Sequence, residues 1–330
     1  MTLQAAWYSN KKWVWLLLPL TCLFFLLSFL RRFLFKIGLF ASSKPNAFVI
    51  IVGNISVGGN GKTPTVIAIA EYLANKGYRC GVLSRGYGGS QTEFPHLLVG
   101  ADNPSEVGDE PMLMHQRLSC PVVIDPKRAR GAKFLLESQQ CKVIICDDGL
   151  QHYSLQRDFE IVVMDGRGLG NGYLMPMGPL RESSLRLATV NAVVINGEMP
   201  SNLVIDNNKV AMMSLEPRSW VNVRSGEIVE FLPKGEPIAI AGIGDPQRFF
   251  NTLSSMGIEC LQCIGFPDHH AFSKPDIPES MVLMTEKDAV KCRTFAHKNC
   301  WYLQVNGNIS KNLYRLIDDK LAILKQSEYK

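Results

Sequence analysis

The chain has 330 residues, a hydrophobic fraction of 46% and a formal net charge of +5. This length exceeds one ordinary core and predicts two domains. The modest charge, without a dense run of Lys and Arg interleaved with aromatic residues, argues against a nucleic-acid partner and favours an anionic substrate or a membrane surface. The nine cysteines are scattered and odd in number, which favours a reducing compartment over a disulfide framework.

The N-terminal region, residues 1–44, is predicted to be a membrane-associated helix with a basic flank. Residues 14–30 carry no charge and are followed by Arg31 and Arg32. As a helix, this run is about 25 Å long at ~1.5 Å per residue, which is barely enough to cross a bilayer. The segment is therefore expected either to span with little margin or to lie partly inserted. A cleaved signal peptide is the competing interpretation, but a clear cleavage site is missing.

Residues 53–64 (GNISVGGNGKTP) are rich in glycine, end in Lys-Thr-Pro and directly follow the apolar run 48–52. This order is typical of a phosphate-binding loop. The apolar run predicts a buried parallel strand, and the glycines let backbone N–H groups surround phosphate oxygens before a helix begins. Lys62 would reach the β- and γ-phosphates of ATP, and Thr63 would hold Mg²⁺. The usual spacing asks for glycine where this chain has Ser56, which leaves a plain glycine-rich turn as the alternative. The residues predicted to bind the nucleotide are Ser56, Val57, Gly58, Gly59, Asn60, Gly61, Lys62 and Thr63.

A βαβ unit follows, because residues 65–76 have the apolar spacing of a helix and residues 80–84 that of a strand. This order predicts a P-loop NTPase-like α/β domain with a parallel sheet over residues 45–205. Further strands of this domain are predicted at residues 121–124, 142–146, 161–164 and 193–195, the last of which is expected to close the sheet.

Acidic residues at two positions are candidates for chemistry. Asp147 and Asp148 end a buried strand, where a P-loop enzyme needs hard oxygen ligands for Mg²⁺. Two adjacent carboxylates cannot point the same way from a strand end, so one is expected to serve the metal and the other a neighbouring role. Asp109 precedes a helical run and, from spacing alone, is better explained as a helix N-cap than as a catalytic group.

The pattern changes to alternation from about Val210. Residues 220–231 flank a turn at 224–227, which predicts a β-hairpin linker over residues 206–235. A second, smaller α/β domain is predicted over residues 236–330.

This second domain contains a loop with adjacent histidines, His269 and His270. A metal pair would need further ligands, so a base partner or a solvent-exposed loop is the better interpretation. Its elements are predicted as strands at residues 237–241 and 282–285 and helices at residues 246–256 and 309–324.

Several motifs together resemble one family, the tetraacyldisaccharide 4′-kinases of lipid A biosynthesis. They cover about residues 45–290 in the right order, and the apolar N-terminus also fits. The matching motifs are the phosphate loop with Thr63-Pro64 and residues 84–89, 107–111, 147–152, 179–182, 242–244, 266–270 and 285–288.

The resemblance implies a membrane-associated kinase with two α/β domains facing each other across a cleft. It implies transfer of the γ-phosphate of ATP, with Mg²⁺, to the 4′-hydroxyl of a tetraacyldisaccharide 1-phosphate. The expected partners are this lipid A precursor and membrane lipid, and no protein partner is implied. Because ATP is cytoplasmic, the expected location is the inner membrane, with the catalytic domains on the cytoplasmic side.

The resemblance also assigns roles to individual residues. It makes Asp109 the catalytic base and His269 its orienting partner, in place of the N-cap interpretation. Lys62 would act on the phosphates, and Arg181 and Glu182 would add charge near the transferring group. Thr63 and Asp147 are assigned to the metal and Asp148 to the catalytic residues, although which aspartate contacts the metal stays open.

The rival interpretation is a membrane-associated regulatory or partitioning ATPase, because the Gly-Gly-Asn-Gly-Lys-Thr core also resembles the deviant loop Lys-Gly-Gly-x-Gly-Lys-Thr. Those enzymes carry an extra lysine where this chain has Val57, which weakens the rival. A nucleotide-binding module without turnover is disfavoured by the presence of Asp109, Asp147 and Asp148.

Overall fold

The structure is a computed structural model that describes residues 3–9, 11–201 and 203–327. Of the predicted ranges, 1–44 includes three positions outside this description, 45–205 includes one and 236–330 includes three. In the described residues the helices are α1 Leu3–Trp7, α2 Leu18–Lys36, α3 Lys62–Asn75, α4 Pro104–Val107, α5 Asp109–Arg117, α6 Arg128–Glu137, α7 Arg186–Thr189, α8 Pro246–Ser255, α9 Glu286–Cys292 and α10 Lys311–Ser327. Short 3₁₀ turns lie at Lys12–Leu17, Asn207–Lys209 and Lys274–Asp276.

The described strands form one mixed sheet. They are β1 Phe48–Gly53, β2 Cys80–Ser84, β3 His96–Leu97, β4 Val122–Ile124, β5 Val143–Asp147, β6 Phe159–Asp165, β7 Ala192–Asn196, β8 Val210–Asn222, β9 Ile228–Val229, β10 Ile238–Ala241, β11 Gln262–Gly265, β12 Val282–Thr285 and β13 Cys300–Ile309. Their order across the sheet is β11-β10-β12-β13-β8-β7-β6-β1-β5-β2-β4-β3, with β9 paired to β8.

Strand β1 lies inside the sheet, paired in parallel with β5 and β6. Its residues are buried on both faces: Ile50 and Val52 pack in one core cluster, and Val49 and Ile51 in the other. A continuous apolar run is what a parallel strand covered on both faces requires. The predicted strand and the helix after the phosphate loop are therefore both present.

The sheet does not close at β7, so that prediction is wrong. The long strand β8 pairs in parallel with β7 through its first residues and antiparallel with β13 from Met213 to Asn222. The predicted hairpin is present, with Trp220 opposite Val229. Because β8 and β13 join the strands of both halves into one sheet, the domain boundaries at residues 206 and 236 stay a prediction.

The N-terminal helical segment Lys12–Lys36 is, within the described residues, the one helix long and apolar enough to cross a membrane. It has 25 residues, more than the uncharged run 14–30, because α2 continues as a helix through Arg31 and Arg32. Only 11% of its most apolar window is buried inside the protein. The apolar side chains of this segment are thus available to a surface outside the chain.

Candidate active site

The phosphate loop connects β1 to α3, and its shape depends on glycine at position 61. Gly61 has φ 97° and precedes the first residue of α3, Lys62. A Cβ on Gly61 would lie 2.7 Å from the side chains of Asn196 and Met213. Since a side chain would be strained in this backbone region and would clash, only glycine fits here.

Ser56 occupies the position where the usual motif has glycine, and the structure explains why serine is tolerated. Its φ lies outside the left-handed region, so the backbone makes no demand for glycine. The buried Ser56 hydroxyl accepts a hydrogen bond from Asn60 Nδ2 at 3.1 Å, and the amide of Val57 donates to Pro179 O at 2.9 Å. These bonds hold the loop from inside.

Lys62, Asp148 and Arg181 lie together beside the loop. Asp148 Oδ1 is 3.6 Å from Lys62 Nζ, and Asp148 Oδ2 is 3.3 Å from Arg181 NH1. Burial raises the pKa of Asp148, but the charges of Lys62 and Arg181 outweigh it and leave the pKa below its usual range. A carboxylate held ionised between two cations orients both of them toward the loop.

Asp147 and Asp148 point apart, as expected, because Asp148 has φ 45° while Asp147 is the last residue of β5. The Asp147 Oδ2 atom accepts a hydrogen bond from Ser84 Oγ at 3.1 Å, but its buried Oδ1 atom has no donor within the described residues. Burial, with the charges of Glu110 and Asp148, raises the pKa of Asp147. This uncompensated oxygen is suited to a cation.

Asp109 and His269 come from different halves of the chain and meet. His269 Nδ1 lies 3.5 Å from Asp109 Oδ2. Asp109 is the first residue of α5, Gly108 occupies the N-cap, and no side chain caps this helix. The N-cap interpretation of Asp109 is therefore wrong, and its carboxylate is free to face the second half.

Further charges join the two halves around this pair. Lys287 Nζ lies 3.2 Å from Glu110 Oε1 and 3.6 Å from Asp268 Oδ1. Burial lowers the pKa of Lys287, but the negative charges of Glu110 and Asp268 outweigh it and raise the pKa. Sequence reasoning gave these residues no role, although Glu110, Asp268 and Lys287 all lie within the motifs that carry the resemblance.

Arg167 is another residue that sequence reasoning missed. Its NH2 group lies 2.7 Å from Asp165 Oδ2 and donates to Asn60 Oδ1 at 3.1 Å. Asp165 ends β6, the neighbour of β1, so the carboxylate at a strand end was the available signal. Arg167 braces the phosphate loop at Asn60 from outside.

Glu182 lies away from the lysine of the loop. Its buried carboxylate accepts hydrogen bonds from Gln151 Nε2 at 2.9 Å and Tyr153 OH at 2.7 Å. It also lies 3.5 Å from Arg32 of α2 and 3.4 Å from Arg186. The structure thus brings Arg181 to Asp148 but directs Glu182 toward the N-terminal helix.

A cleft of about 870 Å³ opens between the two halves at the phosphate loop. It is lined by residues 58–64 and Glu110 of the first half and by Gly244, Asp245 and Lys287 of the second. This volume is in the range of small-molecule sites. Within the described residues no cluster of three or more His, Cys, Asp or Glu side chains could hold a metal.

Comparisons with known proteins agree with this geometry. Residues 13–322 match the family model described as tetraacyldisaccharide-1-P 4′-kinase. The chain is 51% identical to the tetraacyldisaccharide 4′-kinase of Pseudoalteromonas atlantica, over 93% of this chain and 100% of that protein. It is 47% identical to the enzyme of the same name from Tolumonas auensis, over 93% of each chain.

The fold also resembles a solved structure. A crystal structure described as the apo form of LpxK from Aquifex aeolicus in complex with ATP superposes with a TM-score of 0.78 at 30% identity, covering 92% of this chain and 99% of that one. The predicted P-loop α/β fold and the predicted resemblance are both confirmed, and the partitioning-ATPase rival is not favoured. The chain belongs to the tetraacyldisaccharide-1-phosphate 4′-kinase family.

Proposed function

We propose that this kinase transfers the γ-phosphoryl group of ATP to the 4′-hydroxyl of a tetraacyldisaccharide 1-phosphate, and that Asp109 and His269 form its base. The contact between Asp109 and His269, at 3.5 Å, carries this assignment, and the neighbouring residues Glu110 and Asp268 line the cleft at the phosphate loop. A sugar hydroxyl is a weak nucleophile, so a carboxylate that takes its proton lowers the barrier.

The nucleotide would lie in the cleft with its phosphates in the loop. The Aquifex aeolicus relative is described as a complex with ATP, which supports ATP as the donor. Backbone amides of residues 58–61 and the Lys62 ammonium would neutralise the β- and γ-phosphates. Arg181 would stabilise the charge that builds up on the transferring group.

A divalent cation fits the donors on this face. Thr63 and Asp147 would hold Mg²⁺, since the buried Asp147 Oδ1 lacks a donor within the described residues and Mg²⁺ takes one or two carboxylates together with phosphates and waters. When bound, the ion would neutralise charge on the β- and γ-phosphates. Asp148 would stay with Lys62 and Arg181 and keep both cations directed at the phosphates.

These residues account for the proton and for the bonds formed and broken in the transfer step. The 4′-hydroxyl gives its proton to the Asp109 carboxylate, its oxygen forms a bond to the γ-phosphorus, and the bond to the bridging oxygen of ADP breaks. His269 Nδ1 orients the carboxylate. Because the two residues come from opposite halves, the base is assembled only while the halves are together.

The acceptor has acyl chains, and the exposed apolar face of α2 suits the same lipid surface. We place the chain at the inner membrane with the sheet on the cytoplasmic side, where ATP is present. Arg31 is exposed on this helix and would favour anionic headgroups. Glu182, which contacts α2, is assigned a positioning role instead of a contact with the transferring group.

The test is ATP consumption by the purified full chain in detergent micelles, with and without a tetraacyldisaccharide 1-phosphate. We expect consumption to require the lipid and the product to carry a 4′-phosphate. The matched control is Asp109→Asn, which removes the base and keeps the size of the side chain. ATP hydrolysis at the same rate without the lipid would contradict the proposal and favour an ATPase.

A further inference from the structure

The N-terminal segment is fastened to residues 173–182, which we call the clasp segment. Trp7 Nε1 donates a hydrogen bond to Pro176 O at 2.9 Å, and the amide of Met177 donates to Thr21 Oγ1 at 3.1 Å. The Met177 side chain is buried in a small apolar cluster with side chains that precede and begin the membrane helix. The helix therefore has a specific docking site on the kinase body.

The clasp segment is also fastened to the phosphate loop. The amide of Val57 donates to Pro179 O at 2.9 Å, and the amide of Arg181 donates to Ile55 O at 2.7 Å. These bonds lie on either side of the bridge between Ser56 and Leu180. One stretch of backbone thus contacts the membrane helix at its start and the loop at its end.

Glu182 connects the two contacts through side chains. It is 5% exposed, and its carboxylate lies 3.5 Å from Arg32 of α2. On the other side it accepts a hydrogen bond from Gln151 Nε2 at 2.9 Å, and the same nitrogen lies 3.2 Å from Asn54 O, at the start of the phosphate loop. Arg181, the preceding residue, contacts the active-site Asp148.

We propose that Glu182 is a positioning residue that couples the docking of α2, through Arg32, to the shape of the phosphate loop. The inference rests on the proposed function for its meaning, because it makes the membrane helix a structural part of the ATP site. Removing Arg32 leaves a buried carboxylate with one cation fewer, so it turns toward Arg186. The hydrogen bond between Gln151 Nε2 and the Glu182 carboxylate is then lost, and Arg181 loses its position beside Asp148.

The experiment compares three variants of the full chain in detergent micelles: Arg32→Ala, Glu182→Gln and Lys36→Ala. Lys36 is the matched control, because it is an exposed basic residue at the same end of α2, and its side chain makes no hydrogen bond or ion pair within the described residues. Arg32→Ala and Lys36→Ala remove the same charge from the lipid-facing flank. ATP affinity is measured without acceptor, and the KM for the acceptor is measured separately.

We expect Arg32→Ala and Glu182→Gln to raise the Kd for ATP about five- to tenfold, the range for a charged hydrogen bond of which one partner is partly exposed. Lys36→Ala should stay within about twofold of the unmodified chain. The Kd for ATP of the double variant Arg32→Ala/Glu182→Gln should be no higher than that of the single variant that binds ATP less tightly, because the two residues act as one unit. Arg32→Lys should restore part of the affinity.

Equal ATP affinities for Arg32→Ala and Lys36→Ala would overturn the coupling. A lowered melting temperature of Arg32→Ala with an unchanged Kd for ATP would also overturn it, since that result describes a contact that only stabilises the fold. If the unmodified chain fails to phosphorylate the lipid while the Kd shift is present, the proposed function fails and the coupling stands.

Discussion

The Asp109–His269 contact makes the sharpest quantitative prediction. If Asp109 is the base, Asp109→Asn should reduce kcat/KM for the lipid acceptor by about 10²- to 10⁴-fold, the usual contribution of a general base. His269→Ala removes only the group that orients it. A hydrogen bond to a charged group contributes about 1.5–3 kcal/mol.

The geometry reduces that figure for His269. The ring nitrogen lies 3.5 Å from the carboxylate oxygen, and the His269 side chain is 38% exposed. Solvent screening then leaves about 1 kcal/mol, which corresponds to roughly fivefold in rate. His269→Ala should therefore be much milder than Asp109→Asn.

The assay is a double-mutant cycle in kcat/KM for the acceptor, with ATP affinity measured separately. The double variant should be hardly worse than Asp109→Asn alone, because His269 has nothing left to orient. ATP affinity should stay nearly unchanged in all three variants. Fully additive losses would refute the orienting role, and a large loss of ATP affinity in Asp109→Asn would move that carboxylate from the acceptor to the metal.

Three further predictions concern the phosphate loop, the loss of stability at low pH and the attachment to the membrane. Lys62→Ala should abolish measurable phosphoryl transfer while the melting transition stays intact, because Lys62 serves phosphate and not the core; turnover within a few-fold of the unmodified chain would exclude the loop from the mechanism. Burial, with the charges of Arg128, Arg85 and Arg31, lowers the pKa of His152 to about 4. Between pH 6.5 and 4 the His152 side chain is protonated in the unfolded chain but not in the folded chain. The free energy of unfolding therefore decreases as pH falls from about 6.5 toward 4. His152→Gln should lessen the loss of the free energy of unfolding between pH 7 and 5 by about 1 kcal/mol after solvent screening, measured by urea denaturation, and an equal loss in both chains would contradict the burial argument. Deleting residues 1–36 should release the protein from vesicles, since burial of the apolar helix at ~25 cal/mol per Å² is the main attachment; sedimentation of the truncated chain with vesicles at high salt would show another anchor.

Local patterns predicted the parts of the fold that depend on neighbours in sequence. The run at β1 indicated a strand buried on both faces, and the glycines after it indicated the loop, because both signals lie within a few residues. The carboxylates at the end of β5 were found the same way. These patterns sufficed to locate Lys62, Thr63, Asp147 and Asp148.

Local sequence patterns did not predict the contacts between segments that are distant in the chain. Nothing near Asp109 indicates that His269 reaches it, and spacing alone favoured an N-cap; the family resemblance, and not local chemistry, pointed to the pair. The resemblance assigns Glu182, together with Arg181, to the transferring group, yet the Glu182 side chain turns to α2. Adjacent residues on an irregular segment can face opposite partners, and sequence alone does not say which.

Strand β8 connects the two halves of the molecule and affects how they can move relative to each other. Its middle residues, 214–218, are exposed, while its two ends are buried in the cores of the two halves. There it is paired only with β13, and Pro217, which lacks an amide donor, lies opposite Val305, where the register shifts after Gln304. A two-stranded ribbon twists readily. The halves are therefore joined by a solvent-exposed two-stranded ribbon. A swing that parts Asp109 from His269 would bend this ribbon and would also move Val290 of α9 away from the core cluster that it shares with the first half.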